Sequence, residues 1–208
     1  MRIESLKTEP DRAGRYWVSF EDGSRLGLYR QTVEDFGLYP GLELSRETFE
    51  KLWEAAGAMS AKMRAVRIVA ASSVSKRDLQ QRLVQKGEDP GRAAEAVAWM
   101  EEMHLVDDKE TACQIVSRCA SRGYGLQRAK QALYEKKIPK QYWEEALADY
   151  PDQSDTIFSY LRGRLDATSD QKQIKKAVDA LLRRGHSYSQ IRGALQRIAL
   201  DADEFAED

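Results

Sequence analysis

Cysteine, histidine and proline are scarce in this chain, and their scarcity removes several functional classes at once. Its 208 residues include 2 Cys, 2 His and 5 Pro. Cys113 and Cys119 lie in a helical pattern, and six residues turn a helix through about 600°, which puts the two thiols on different faces. Neither a mutual disulfide nor a CxxC metal site is therefore expected. His104 and His186 have no Cys or His neighbour at zinc spacing. No apolar run approaches the roughly 20 residues of a membrane span, and Met1–Arg2 is not followed by the apolar stretch of a signal peptide. The sequence holds no GxxxxGK[ST] phosphate loop, no GxGxxG after a strand, no HExxH and no GxSxG. An excess of one charge is missing too. Lys plus Arg is 33 against 34 for Asp plus Glu, a net charge of −1, so overall charge gives no argument for nucleic acid. With 13 Gly and 5 Pro, a Gly/Pro-rich linker is excluded. The expectation is a cytoplasmic protein from a reducing compartment, not an enzyme, with no cofactor, no structural metal and no membrane contact.

What is present is charge and amphipathicity. Charged residues make up 32% and hydrophobic ones 42%; the charged share is high against the roughly 25% of average proteins and suits helices with a large solvated surface. Residues 1–59 differ from the rest. Tyr16–Phe20 is aromatic and β-branched, Glu21-Asp22-Gly23-Ser24 supplies a turn, and Leu26–Tyr29 follows, the pattern of a β-hairpin. Ile3–Lys7 adds a third strand across the Pro10–Gly14 loop. Ser45-Arg46-Glu47-Thr48 then opens a helix carrying Phe49, Leu52 and Trp53.

From about residue 60 the pattern is helical and repeats. A shift of 50 residues places Leu83 on Leu133 and Val97 on Leu147; a shift of 98 places Leu83 on Leu181, Gly87 on Gly185 and Val97 on Leu195. Such a period predicts a mainly α fold of three tandem three-helix repeats, at 60–108, 109–155 and 156–208, the last ending in an acidic tail. The array is expected to be elongated and monomeric, behind a β-hairpin-plus-helix extension at 1–59. The first helix of each repeat carries Met63, Val66 and Ala70, then Ile115 and Cys119, then Ile157, Leu161 and Leu165. The second begins at Ser75, near Gly125 and at Ser169-Asp170, with Gly87 and Gly185 as left-handed C-caps. The third begins at Asp89-Pro90, Ile138-Pro139 and Ser187.

The neutral total conceals bands. Residues 60–87, 112–140 and 156–198 each carry +6, while 88–111, 141–155 and 199–208 carry −6, −5 and −5. The candidate partner-binding cations are Lys62, Arg64, Arg67, Lys76, Arg77, Arg82 and Lys86 in the first repeat, and Arg118, Arg122, Arg128 and Lys130 in the second. The third contributes Arg162, Arg164, Lys172, Lys175, Lys176, Arg183 and Arg184. On the helix 170–184, Lys172, Lys175, Lys176 and Arg183 form one stripe, with Ile174, Val178, Leu181 and Leu182 expected to pack inward. Two explanations stand side by side. Opposite charges help neighbouring repeats stack, or a basic ribbon faces a polyanion or an acidic protein groove. Other candidate groups read as structural. Asp107-Asp108 suits a helix N-cap, His104 a surface or capping position, and the cysteines small buried hydrophobes. Trp99, Trp143, Tyr150 and Tyr160 fall on core positions.

The pattern Ser75-x-x-Asp78-Leu79-x-x-x-Leu83-x-x-x-Gly87, followed by a helix ending in Leu105-Val106-Asp107-Asp108, resembles the first repeat of the RecX regulatory proteins. Arg122-Gly123-Tyr124-Gly125 is similar to the junction that opens the family's second repeat. The resemblance covers about residues 60–205. Lys137 departs from it, standing where a helix-ending glycine belongs, and Leu79 becomes Ala129 and Ala177 in the later units. The resemblance implies an elongated, curved helical protein that modulates, and usually inhibits, the RecA recombinase. Such a protein lies in the groove of the RecA–single-stranded-DNA filament and lowers its ATPase, strand-exchange and co-protease activities. A general DNA-binding helical protein and a helical scaffold unrelated to DNA remain as alternatives.

Overall fold

The structure, a computed structural model, describes residues 1–166 and 169–204, with side chains as far as Ile198. Of the acidic tail expected at 199–208, residues 205–208 and the side chains of 199–204 lie outside the described residues. The chain forms two compact units, Met1–Val106 and Asp107–Asp208.

The first unit opens with β1 (Ile3–Leu6), β2 (Arg15–Phe20) and β3 (Arg25–Tyr29), an antiparallel sheet in that order. The hairpin register pairs Val18 with Leu26 and Tyr16 with Leu28. Its turn works because Gly23 takes φ +81° and Asp22 accepts from the Ser24 amide at 2.9 Å. Alternation sends Val18, Phe20 and Leu28 inward, where they meet Ile3, Leu38, Leu44, Leu52 and Ala56 in one core. Two helices follow, α1 (Arg30–Asp35) and α2 (Arg46–Ala71), and then α3 (Lys76–Gln85) and α4 (Pro90–Glu102).

Helix α2 is 26 residues long and capped by the Ser45 side chain at the Thr48 amide. It runs straight through the expected boundary at residue 59, so one helix serves both the extension and the core that follows. That second core gathers Ala61, Ala65 and Ile68 of α2 with Leu79 and Leu83 of α3 and Ala93, Ala96, Val97 and Met100 of α4. The buried stripe of α2 is therefore not the one expected. Met63 and Val66 are half-buried and Ala70 is exposed, because small Ala61 and Ala65 let the neighbouring backbone approach closely. Likewise Leu52 is buried but Trp53 is 46% exposed.

The second unit contains α5 (Asp108–Ser121), α6 (Leu126–Glu135), α7 (Trp143–Leu147), α8 (Ser154–Arg162), α9 (Gln171–Arg183) and α10 (Tyr188–Glu204). Ile115, Val116, Cys119, Ala129, Leu133 and Ile138 form one core, and Ile157, Leu161, Ala177, Leu181, Ile191 and Ala194 another. The three helical cores lie within residues 61–106, 112–138 and 157–194. Three details depart from expectation. The segment after Pro139 is a 3-10 turn at Lys140–Tyr142 leading into the short α7, rather than a full helix opening on the proline. Cys113 is exposed while Cys119 is buried. Leu182 is 42% exposed, leaving Leu181 and Ala177 as the buried side of α9. Trp99, Trp143, Tyr150 and Tyr160 are half-buried, packed on the rims of the cores.

The caps follow the sequence closely. Ser75, Asp89, Asp107 and Asp170 accept backbone N–H groups in the first turns of α3, α4, α5 and α9, and Asp170 with Gln173 forms a complete capping box. Gly87 and Gly185 take φ +90° and +85° after α3 and α9. Lys137, standing in the glycine's place after α6, is forced to φ +56°, and His104 after α4 to +54°. A side chain in that region is strained by about 1–2 kcal/mol. His104→Gly should therefore raise the stability of the first unit by about 0.5–1 kcal/mol once glycine's larger unfolded-state entropy is subtracted, measured by denaturant unfolding. An unchanged or lowered midpoint would show that the imidazole makes an offsetting contact.

Candidate partner-binding surface

The cations singled out by sequence divide by what their side chains already touch. Several are engaged by carboxylates. Lys76 pairs with Glu101 at 2.7 Å, Arg82 with Asp78 at 2.8 Å, Arg64 with Glu88 at 2.8 Å and Arg128 with Glu135 at 3.1 Å. The hydrogen bond from Arg128 holds the Glu135 carboxyl below the ordinary carboxylate range. Others lie over rings. Lys62 sits 5.2 Å from the Trp99 centroid; Arg162 at the end of α8 sits 6.0 Å from Phe158, and Arg164, just past that helix, sits 3.9 Å from Tyr160. Arg184 from the end of α9 covers the same tyrosine at 5.0 Å, and Arg197 of α10 covers Phe158 at 4.4 Å. Phe158 and Tyr160 flank the buried pair Ile157 and Leu161, so these arginines seal both edges of the third core. Arg67 donates to the Tyr29 hydroxyl at 3.2 Å and the Ala13 carbonyl at 3.3 Å, tying α2 to the sheet.

Arg77, Arg118, Arg122 and the stripe on α9 form a different class. Lys172, Lys175, Lys176 and Arg183 are all exposed, and none makes an ion pair among the described residues. Ala177 and Leu181, which point the other way into the core, fix which side of α9 faces outward. Asp179, four residues from both Lys175 and Arg183, shares this face, so the five groups together carry a net charge of about +3. An arrangement of that kind gains energy only when a polyanion neutralises it. Lys86 and Lys130 also carry no ion pair among the described residues.

The two cores of the second unit are joined through backbone. The Gly125 amide, at the N-cap of α6, donates to the Arg184 carbonyl at 2.9 Å, and the Gln127 amide donates to the Gly185 carbonyl at 3.2 Å. The amides that open α6 are thus satisfied by the carbonyls that close α9. His186, 3% exposed, adds a bond from Nε2 to the Gly123 carbonyl at 3.1 Å, while its Nδ1 has no partner among the described residues.

No family model matches the chain. Regulatory protein RecX of Vibrio parahaemolyticus is 26% identical over 145 residues, covering 66% of this chain and 90% of that protein. Regulatory protein RecX of Chlorobaculum tepidum is 29% identical over 138 residues, covering 64% and 85%. A crystal structure of regulatory protein RecX shares the fold, with a TM-score of 0.63 at 18% identity over 92% of this chain and 98% of that one. The chain is similar in sequence to RecX regulatory proteins and shares their fold. Among the described residues no helix of this RecX-like chain is long and apolar enough to cross a membrane.

Sequence reasoning found the α9 stripe but counted with it residues that this RecX-like fold spends on carboxylates and rings. It also passed over His186, whose one sequence signal was a position directly after the left-handed Gly185. Burial, opposed by the bond to Gly123 and assisted by Arg184, pushes the His186 imidazolium below its ordinary range. The unfolded chain protonates this side chain near pH 6.5 and the folded chain only at lower pH, so the unfolded state binds more protons in between. The stability of the second unit should be complete above about pH 6.5 and fall as the pH drops below it. Thermal melts across this range should show that dependence diminished in His186→Gln; an identical dependence would assign it to other groups.

Proposed function

We propose that this chain is a RecX regulatory protein that acts on a RecA recombinase from the cytoplasm, lying as a monomer against the RecA–single-stranded-DNA filament and lowering its ATPase, strand-exchange and co-protease activities. The observation that carries the reading is the α9 stripe, where Lys172, Lys175, Lys176 and Arg183 stand exposed, with no ion pair among the described residues, on a helix whose other side is pinned in a core. Arg77, Arg118 and Arg122 extend the same chemistry to the other repeats. A filament offers the same acidic and phosphate groups at regular spacing. Several weak contacts carried on one chain then combine through effective concentration. The deciding experiment is RecA ATPase activity on single-stranded DNA, titrated with the protein. A saturable fall in ATPase, with only weak and strongly salt-dependent binding to naked DNA, supports the proposal. Tight binding to naked DNA with no effect on the filament would favour a general DNA-binding role instead.

A further inference from the structure

Four cations of the first unit converge on one groove of about 460 Å³ between α2 and α3. Arg64 and Arg67 come from one face of α2, Arg82 and Lys86 from successive turns of α3, and Ile68 and Ala71 supply an apolar lining. The arginines are held from behind. Arg64 places Nε 2.8 Å from the Glu88 carboxylate and donates through Nη1 to the Lys86 carbonyl at 2.7 Å. Arg82 places Nη2 2.8 Å from Asp78 and donates through Nη1 to the Ser72 hydroxyl at 3.4 Å. Arg67 is anchored by Tyr29 and Ala13. The two carboxylates behind are nearly closed off, with side chains 9% exposed for Glu88 and 8% for Asp78, whereas Arg64 and Arg82 keep 31% and 35% of theirs open. An incoming anion meets guanidinium edges, not carboxylates.

Two carboxylates against four cations leave the groove at about +2, which matches the −1.5 to −2 of a phosphate monoester near neutral pH. Braced guanidinium forks suit phosphate oxygens, since their rotamer entropy has been given up before the ligand arrives. The volume also falls within the range of small-molecule sites. We propose that this groove binds a phosphate group carried on a nucleotide-sized body, either a terminal phosphate monoester or a backbone phosphodiester, with its sugar against Ile68 and Ala71. The site does not depend on the recombinase reading.

The test is a titration of the isotopically labelled full chain with inorganic phosphate, and then with 5′-phosphorylated and unphosphorylated oligothymidylate. The arginine Nε–H resonances of Arg64, Arg67 and Arg82 should shift with phosphate. Lys86→Gln, which touches no ion pair among the described residues, should weaken the effect by roughly three- to tenfold, and Arg82→Gln by more. Should Arg82→Gln unfold the unit by stranding Asp78, Lys86→Gln alone decides. A stronger response to the 5′-phosphorylated strand identifies a terminal monoester, and equal responses identify the phosphodiester. Absence of arginine shifts with all three ligands, or an unaltered response in Lys86→Gln, overturns the site. If Lys86→Gln loses phosphate binding yet regulates the recombinase like the parent, the groove stands and is separate from the filament contact.

Discussion

Gly185→Ala should lower the unfolding free energy of the second unit by at least about 3 kcal/mol, a large part of the 5–15 kcal/mol typical of a domain. Two costs combine. Gly185 holds φ +85°, where a β-carbon is strained by about 1–2 kcal/mol. The added carbon would also overlap the backbone of Arg128, pushing α9 off the start of α6 and stretching the bonds from the Gly125 and Gln127 amides to the Arg184 and Gly185 carbonyls. A buried donor left unsatisfied costs about 1–3 kcal/mol. Gly125→Ala should be similarly severe, because its β-carbon would fall on the Gly185 carbonyl. Gly87→Ala separates the two costs. Gly87 has φ +90° and nothing within 4 Å of the missing carbon, so strain alone remains, about 1–2 kcal/mol. Denaturant unfolding of the three variants measures the difference. Equal losses at Gly87 and Gly185 would show that the close approach of α9 to α6 contributes nothing.

Replacing Lys172, Lys175, Lys176 and Arg183 together by glutamine should reduce the potency of RecA ATPase inhibition tenfold or more, about 1.4 kcal/mol. It should leave the fold intact. Glutamine is a good helix former, the four side chains make no ion pairs among the described residues, and relieving like-charge repulsion on the helix stabilises it slightly. If the stripe meets phosphates, each lost contact to a single strand removes about 0.7 from the slope of log affinity against log salt, so the slope should shrink by about 3. Arg128→Gln is the matching control, because it removes a charge already paired with Glu135. A quadruple variant with unchanged potency and slope would return the charge bands to a purely structural role.

The sequence alone determined the local devices, because each is closed within a few residues. The Asp22-Gly23 turn, the caps at Ser75, Asp89, Asp107 and Asp170, and the left-handed glycines 87 and 185 all obey short-range hydrogen bonding and backbone sterics. Even the departure at Lys137 carried its meaning, since the helix still had to end and the lysine took the glycine's conformation. Helical spacing also marked apolar residues that do enter cores, Leu83, Leu133 and Leu181 among them, because a linear pattern displays that spacing.

Tertiary structure decided what each long polar side chain does and which face of α2 is buried. Arg64 reaches Glu88 and Lys76 reaches Glu101, pairings of residues more than twenty positions apart that depend on how α3 and α4 lie against α2 and against each other. The inward face of α2 went to Ala61 and Ala65 instead of the larger Met63 and Val66, since the closeness of a neighbouring helix, and not hydrophobicity alone, selects the residue. The meeting of Gly125 with Gly185 across the second unit is of the same kind. Glycine in the sequence states that a β-carbon is absent, and only the packed fold shows which backbone occupies the space it leaves.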